Sequence, residues 1–240
     1  MIKALKDKRI LCLNEQLAEQ LSLEFFQGHH VDSAPMSPPY QSVKAVSSGG
    51  RNAAWYVEHH LFSGVVRQYR RGGLIGKLIR SMYCWQGEEK TRSWEEFAIL
   101  QYLHTKEVSV AKPIAAIYQR CGFFYRAALI TVRIPEVITL VEAIHQLGHD
   151  EQAQDSLAQE VAITVQAMHY ALVNHKDLNA FNILVSKDFK KVYLIDFDKA
   201  RLESAQGKWC QANLNRLERH LVKVLNTSGQ VFAQKVKSYY

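Results

Sequence analysis

The apolar positions of this chain keep two different periods. At Leu17, Leu21 and Phe25, at Trp94, Phe97, Leu100 and Leu103, at Leu157, Val161, Val165 and Met168, and at Leu214, Leu217, Leu221 and Leu225 they recur every three or four residues. That spacing puts each set on one face of a helix. It predicts a short N-terminal helix, a helix over 93–103, a buried helix over 156–171 and a final amphipathic helix. Elsewhere, short runs rich in β-branched and aromatic residues predict strands at 53–57, 64–70, 114–118 and 123–130, then at 183–185 and 192–195. Residues 119–122 and the polar SKDFKK segment, 186–191, read as hairpin turns. Residues 28–42 carry Pro35, Pro38 and Pro39 among Ser and Asp and read as a loop.

Composition narrows the class of function. A chain of 240 residues has room for one large domain or two small lobes, and 48% hydrophobic content is ample for a core. The net charge of +7 favours an anionic partner: a nucleotide, a nucleic acid or a phosphate-rich membrane surface. No run of eighteen apolar residues is present, so no spanning helix is predicted. The first residues, MIKALKDKRILCLNEQ, lack the features of an export signal. Cys12, Cys84, Cys121 and Cys210 lie far apart with no C-x-x-C pair, which speaks against zinc and fits a reducing compartment.

Candidate chemistry is densest in 174–198, NHKDLNAFNILVSKDFKKVYLIDFD. His175, Asp177 and Asn182 are spaced H-x-D-x-x-x-x-N, and Asp196-Phe197-Asp198 follows the second apolar run. An Asp before a strand is ordinarily a turn residue. Here the two strands form a hairpin that would bring Asn182 beside Asp196, with Asp177 on the loop before them. One carboxylate then stands ready to accept a hydroxyl proton, while an Asn and an Asp hold magnesium. Order and spacing match the catalytic and metal loops of protein kinases.

Upstream signals are weaker individually. Gly49 and Gly50, in VSSGGR between strand-like runs, would let backbone N–H groups approach a phosphate; a plain hairpin turn would look the same. The 64–70 strand lacks the lysine that kinases place there. Arg67 occupies the corresponding place, with Arg70 second, and arginine can bind phosphate bidentately. Glu96, on the 93–103 helix, is the expected partner of that cation, with Glu95 the runner-up; its spacing from Ser93 also suits a capping box. Residues 70–80, RRGGLIGKLIR, interleave basic and apolar side chains and suit an anionic lipid surface or a solvated loop. Arg216, Arg219, His220 and Lys223 on the last helix read as a solvated face, or as a face for a phosphate-bearing partner.

HxDLNxxNILV followed by LIDFDKxR, with VRxYRRGGLIGK and TRSWEEF upstream, resembles the 3-deoxy-D-manno-octulosonic acid (Kdo) kinases, which belong to the lipopolysaccharide core kinases of Gram-negative bacteria. The resemblance runs from about residue 49 to about 223. It implies an α+β, protein-kinase-like bilobal fold, with a small β-rich lobe over 1–130 and a larger helical lobe over 131–240. It implies transfer of the ATP γ-phosphoryl group, with Mg²⁺, to the 4-hydroxyl of Kdo on a lipid A precursor. The work would be done peripherally at the cytoplasmic side of the inner membrane, with its anionic surface as a partner. No nucleic acid and no obligate protein partner are expected. Asp177 becomes the catalytic Asp, His175 the organiser of its loop, Asn182 and Asp196 the metal holders, Gly49 and Gly50 the phosphate loop, and Arg67 with Glu96 the phosphate-side pair. Three features depart from kinases at large. The metal loop ends in Asp198 where glycine is usual, the strand lysine is missing, and Asn179 stands where protein kinases have a lysine that touches the γ-phosphate. A heptose kinase, an RNA-directed kinase and a non-catalytic pseudokinase are the competing readings.

Overall fold

The structure is a computed structural model that describes residues 2–5, 8–12, 40–46, 54–69 and 82–240. The helix expected at 17–25, most of the 28–42 loop, Gly49, Gly50 and the 70–80 segment with Arg70 lie outside the described residues. The chain divides into two compact units, Met1–Ala98 with Lys112–Arg133, and Ile99–Ala111 with Ile134–Tyr240.

The first unit is built on an eight-stranded antiparallel sheet. Its strands are β1 (Ile2–Leu5), β2 (Lys8–Cys12), β3 (Ser42–Ala45), β4 (Ala54–His59), β5 (Phe62–Gln68), β6 (Tyr83–Cys84), β7 (Pro113–Cys121) and β8 (Phe124–Val132). They run in the order β1-β2-β7-β8-β5-β4-β3, with β6 added to β8. Alternation decides which side chains face inward. Tyr40, Val57, Val66, Ala115, Ile117, Ala128 and Ile130 form the buried cluster, and Trp55, Phe62 and Ile114 pack against it. The β7–β8 hairpin is tighter than the sequence suggests, because Cys121 already pairs with Phe124. The turn is Gly122-Phe123, and Gly122 has φ +61°, a conformation glycine adopts without steric cost. No strand is predicted within residues 1–12, yet β1 and β2 form there; their short basic-apolar mix carries little pattern, and pairing with β7 decides.

Helix α1 (Arg92–Thr105) coincides with the predicted helix. Trp94, Phe97, Leu100 and Leu103 are all buried, as their spacing requires. In the second unit α2 (Leu140–Leu147) starts with a reciprocal capping box between Thr139 and Glu142. Helix α3 (Glu151–Tyr170) is capped by Asp150, which accepts from the Ala153 N–H at 3.0 Å. Its Leu157, Val161, Val165 and Met168 are wholly buried. The last helical stretch, α4 (Lys208–Tyr239), packs on α3 and is broken at Asn226, whose φ and ψ are 52° and −128°. The chain doubles back there, so that Lys237 reaches Glu218 at 2.7 Å and Asn215 at 3.0 Å. The expected amphipathic helix is therefore the first arm of a helical hairpin.

Two small sheets complete this unit. Strand β9 (Val137–Thr139) pairs with β11 (Ile183–Ser186), which pairs with β12 (Val192–Leu194); β10 (Val173–Asn174) pairs with β13 (Arg201–Leu202). The β11–β12 hairpin closes through the predicted polar turn, with Ser186 N–H donating to Lys191 O at 2.9 Å. No helix among the described residues is long and apolar enough to cross a membrane.

Candidate active site

The hairpin register sets Asn182 near the end of the strand that leads into Asp196. Ile183 pairs with Leu194, and the Ile195 N–H donates to Asn182 O at 3.0 Å. Asn182 at the start of one strand therefore lies across from the residue immediately before Asp196. Asp196 itself has φ +64°, a left-handed conformation that Asp tolerates better than most residues and that turns the chain sharply out of β12.

Asp177 is held from behind by its own backbone. Its carbonyl accepts from Asn182 Nδ2 and from Asn179 Nδ2, both at 3.0 Å, and its N–H donates to His175 O at 2.7 Å. Asn179 closes the loop further by accepting from the Phe181 N–H at 2.9 Å. The side chain at 179 is thus turned into its own loop. His175 is wholly buried; its Nε2 lies 3.0 Å from Ile195 O, and its ring packs on Phe197 with centroids 4.6 Å apart. Desolvation, partly offset by that carbonyl and by Asp196, holds its pKa below the ordinary histidine value. A neutral ring donating through Nε2 ties the Asp177 loop to the Asp196 loop and stays out of reach of any substrate.

Below this sits a second tier of polar contacts. Asn174 donates to Glu203 at 2.9 Å and accepts from the buried Asn213 of α4 at 2.9 Å. The Ala180 N–H donates to His220 Nδ1, also on α4, at 3.3 Å. Two cations face the Asp177 carboxylate: Lys199 Nζ at 3.2 Å from Oδ2 and Arg216 Nη1 at 3.9 Å from Oδ1. The sequence reads the Arg216 face as solvated or as a face for a phosphate-bearing partner, and helical periodicity alone carries no signal that its turn meets the Asp177 loop.

In the first unit Arg67, near the end of β5, forms an ion pair with Glu96 of α1. Glu96 is only 2% exposed, and it also accepts from Tyr69 Oη at 2.5 Å. Arg67 and Tyr69 are two apart, on one face of the extended chain, and the guanidinium sits 5.0 Å from the Tyr69 ring centroid. Ser93, the alternative partner of Glu96, gives its hydroxyl to Ile117 O at 3.1 Å. Sequence reasoning missed Tyr69; its place two residues from Arg67, on the same face of the extended chain, is the signal that finds it.

Among the described residues no group of three or more His, Cys, Asp and Glu gathers around one point. Magnesium carried by a nucleotide does not need one, since phosphates and waters complete its shell around one or two protein oxygens. Asn182 fits such a role. Its Nδ2 is committed to the Asp177 carbonyl, which leaves the hard oxygen Oδ1 as its free acceptor beside the strand end that carries Asp196.

Residues 40–240 match the Lipopolysaccharide kinase (Kdo/WaaP) family. A 3-deoxy-D-manno-octulosonic acid kinase of Vibrio cholerae is 40% identical over 183 residues, 76% of this chain and 75% of that protein. One from Vibrio parahaemolyticus is 37% identical over 228 residues, covering 94% and 90%, and one from Xylella fastidiosa is 38% identical over 180 residues, covering 75% and 70%. Among solved structures, one described as "WaaP in complex with acyl carrier protein" superposes with a TM-score of 0.55 at 16% identity, over 82% of this chain and 79% of that one. At that identity it speaks for the fold alone, which is α+β and protein-kinase-like. With a catalytic segment of kinase spacing folded as described, the chain belongs to the lipopolysaccharide kinase (Kdo/WaaP) family and is a phosphotransferase.

Proposed function

We propose that this kinase moves the γ-phosphoryl group of ATP to the 4-hydroxyl of Kdo on a lipid A precursor, at the cytoplasmic face of the inner membrane. The observation that carries the reading is the β11–β12 register, which sets Asn182 against the residue before Asp196 and ties both to the Asp177 loop. Relatives bearing the Kdo kinase name, alike over three quarters or more of the chain, support Kdo as the acceptor sugar.

In this reading Asp177 hydrogen-bonds the sugar hydroxyl and takes its proton as the bond to phosphorus forms. Asn182 Oδ1 and the Asp196 carboxylate would hold Mg²⁺, which when bound neutralises phosphate charge. Arg67, steadied by Glu96 and Tyr69, presents its guanidinium to phosphate oxygens. Gly49 and Gly50, which lie outside the described residues, would serve as the phosphate loop. Such a transition state asks for positioning and electrostatics more than for covalent help. The +7 charge would draw the enzyme to an anionic membrane that holds the acceptor.

Mass spectrometry of Kdo-bearing lipid A precursor after incubation with enzyme and Mg-ATP tests the proposal. One added phosphate, assigned to the 4-position by proton–phosphorus correlation, is the expected product. Transfer only to a heptose-extended acceptor would move the assignment to another core sugar.

A further inference from the structure

We infer that Lys199 and Arg216 bind the carboxylate of the acceptor sugar and so select an acidic sugar over a neutral one. The inference rests on the reading of the acceptor as Kdo, a sugar acid.

The two cations already hold a carboxylate, that of Asp177. Lys199 Nζ faces one oxygen at 3.2 Å, and Arg216 Nη1 faces the other at 3.9 Å. The two positive groups thus face different oxygens of one carboxylate, Lys199 within hydrogen-bond distance and Arg216 at the longer range of an ion pair. All three side chains are open to solvent: Asp177 is 39% exposed, Lys199 58% and Arg216 47%. Ion pairs so exposed are weak, so their partners exchange readily.

One chemical requirement makes the exchange useful. An acidic sugar brought against Asp177 and a nucleotide meets like charge unless positive groups intervene. Lys199 and Arg216 are the cations placed beside Asp177 to meet it.

The neighbouring residues favour the acceptor over the γ-phosphoryl group as their ligand. Asn179, at the loop position where a phosphate-touching lysine is usual, is folded into its own loop by two hydrogen bonds, so the cations near Asp177 come from elsewhere in the chain. Arg216 is followed on α4 by exposed Arg219 and Lys223, one helical stripe of positive charge leading away from Asp177. An acceptor with several acidic groups on a lipid suits that stripe better than a compact triphosphate does.

The test compares wild type, Lys199→Ala, Arg216→Ala and Lys199→Arg on two acceptors, the Kdo-lipid and the same lipid with the carboxylate converted to its amide. Wild-type turnover on the first acceptor judges the functional reading by itself. Given that turnover, each alanine variant should raise the acceptor KM about 10- to 100-fold, the range expected on losing a charge-assisted hydrogen bond. The KM for ATP should stay within about twofold, and Lys199→Arg should recover part of the loss. The amide should cost the wild type a similar factor and cost the variants little more. Variants that raise the KM for ATP and leave acceptor KM alone would overturn the inference, since the cations would then serve the nucleotide. Equal losses on acid and amide acceptors would overturn it too.

Discussion

At the scale of single residues, the site depends on groups whose burial fixes their charge. His169 on α3 is wholly buried, with Nδ1 2.7 Å from Tyr240 Oη. Burial first, and the nearby His175 second, bring its pKa from 6.5 down to about 4. The folded chain therefore holds His169 neutral where the unfolded chain protonates it. The resulting stability is fully present above about pH 6.5 and is lost as pH falls towards 4, by on the order of 3 kcal/mol for a shift of this size. Urea unfolding followed from pH 7 to 4.5 should show this loss, and His169→Gln should flatten the slope by about one proton. An unchanged slope would place the acid sensitivity elsewhere. Arg67 makes a second case. Removing it takes a cation away from the buried Glu96, so Arg67→Ala should destabilise the chain by about 2 kcal/mol, below the full cost of breaking a deeply buried pair. Arg67→Ala combined with Glu96→Gln should recover part of that in a thermal melt. The sequence makes Arg67 and Glu96 visible because a strand and a helix of strong periodicity carry them. Lys199 and Arg216 stay hidden as partners of Asp177, because their meeting depends on how α4 returns to the loop.

At the scale of elements, the β11–β12 hairpin and the break in α4 carry opposite lessons. The hairpin was readable: two β-rich runs around a polar turn fix a register, and the register fixes which residues meet. The break was not. Leu214, Leu217, Leu221 and Leu225 mark the first arm, but nothing in their spacing announces that the chain reverses at Asn226. Gly229 is the residue that permits the reversal. A Cβ there would lie 2.2 Å from Leu221 O, a backbone atom that cannot step aside. Gly229→Ala should therefore cost about 1 to 3 kcal/mol, the usual cost of forced overpacking, and lower the melting temperature accordingly. A melt unchanged within error would mean that the hairpin opens to admit a methyl group at little cost. Because Arg216 and His220 ride on the first arm, the same variant should also weaken activity on the acceptor.

At the scale of the whole molecule, the α+β character follows from where the two periods fall, and the net charge of +7 bears on the proposed peripheral-membrane reading. Attraction of a +7 chain to anionic lipid is screened within about 10 Å at 0.1 M salt. Co-sedimentation with vesicles rich in anionic lipid should be clear at about 0.05 M salt and largely lost at about 0.5 M. No binding at the lower salt would count against the peripheral-membrane reading. What sequence could not supply here was β1 and β2, two short strands whose composition is nearly patternless and whose place is set by the edge they join. The account stands most directly on the proposed convergence of Asp177, Asn182 and Asp196 on one magnesium-bound nucleotide, and one measurement reaches it: turnover on the Kdo-lipid acceptor across a magnesium titration, for wild type beside Asp196→Asn. The account predicts a fall of about 10²-fold or more at every ordinary magnesium level, in line with the loss of one well-placed electrostatic group, and a higher magnesium concentration for half-maximal rate. Near-normal turnover with an unchanged magnesium dependence would contradict it.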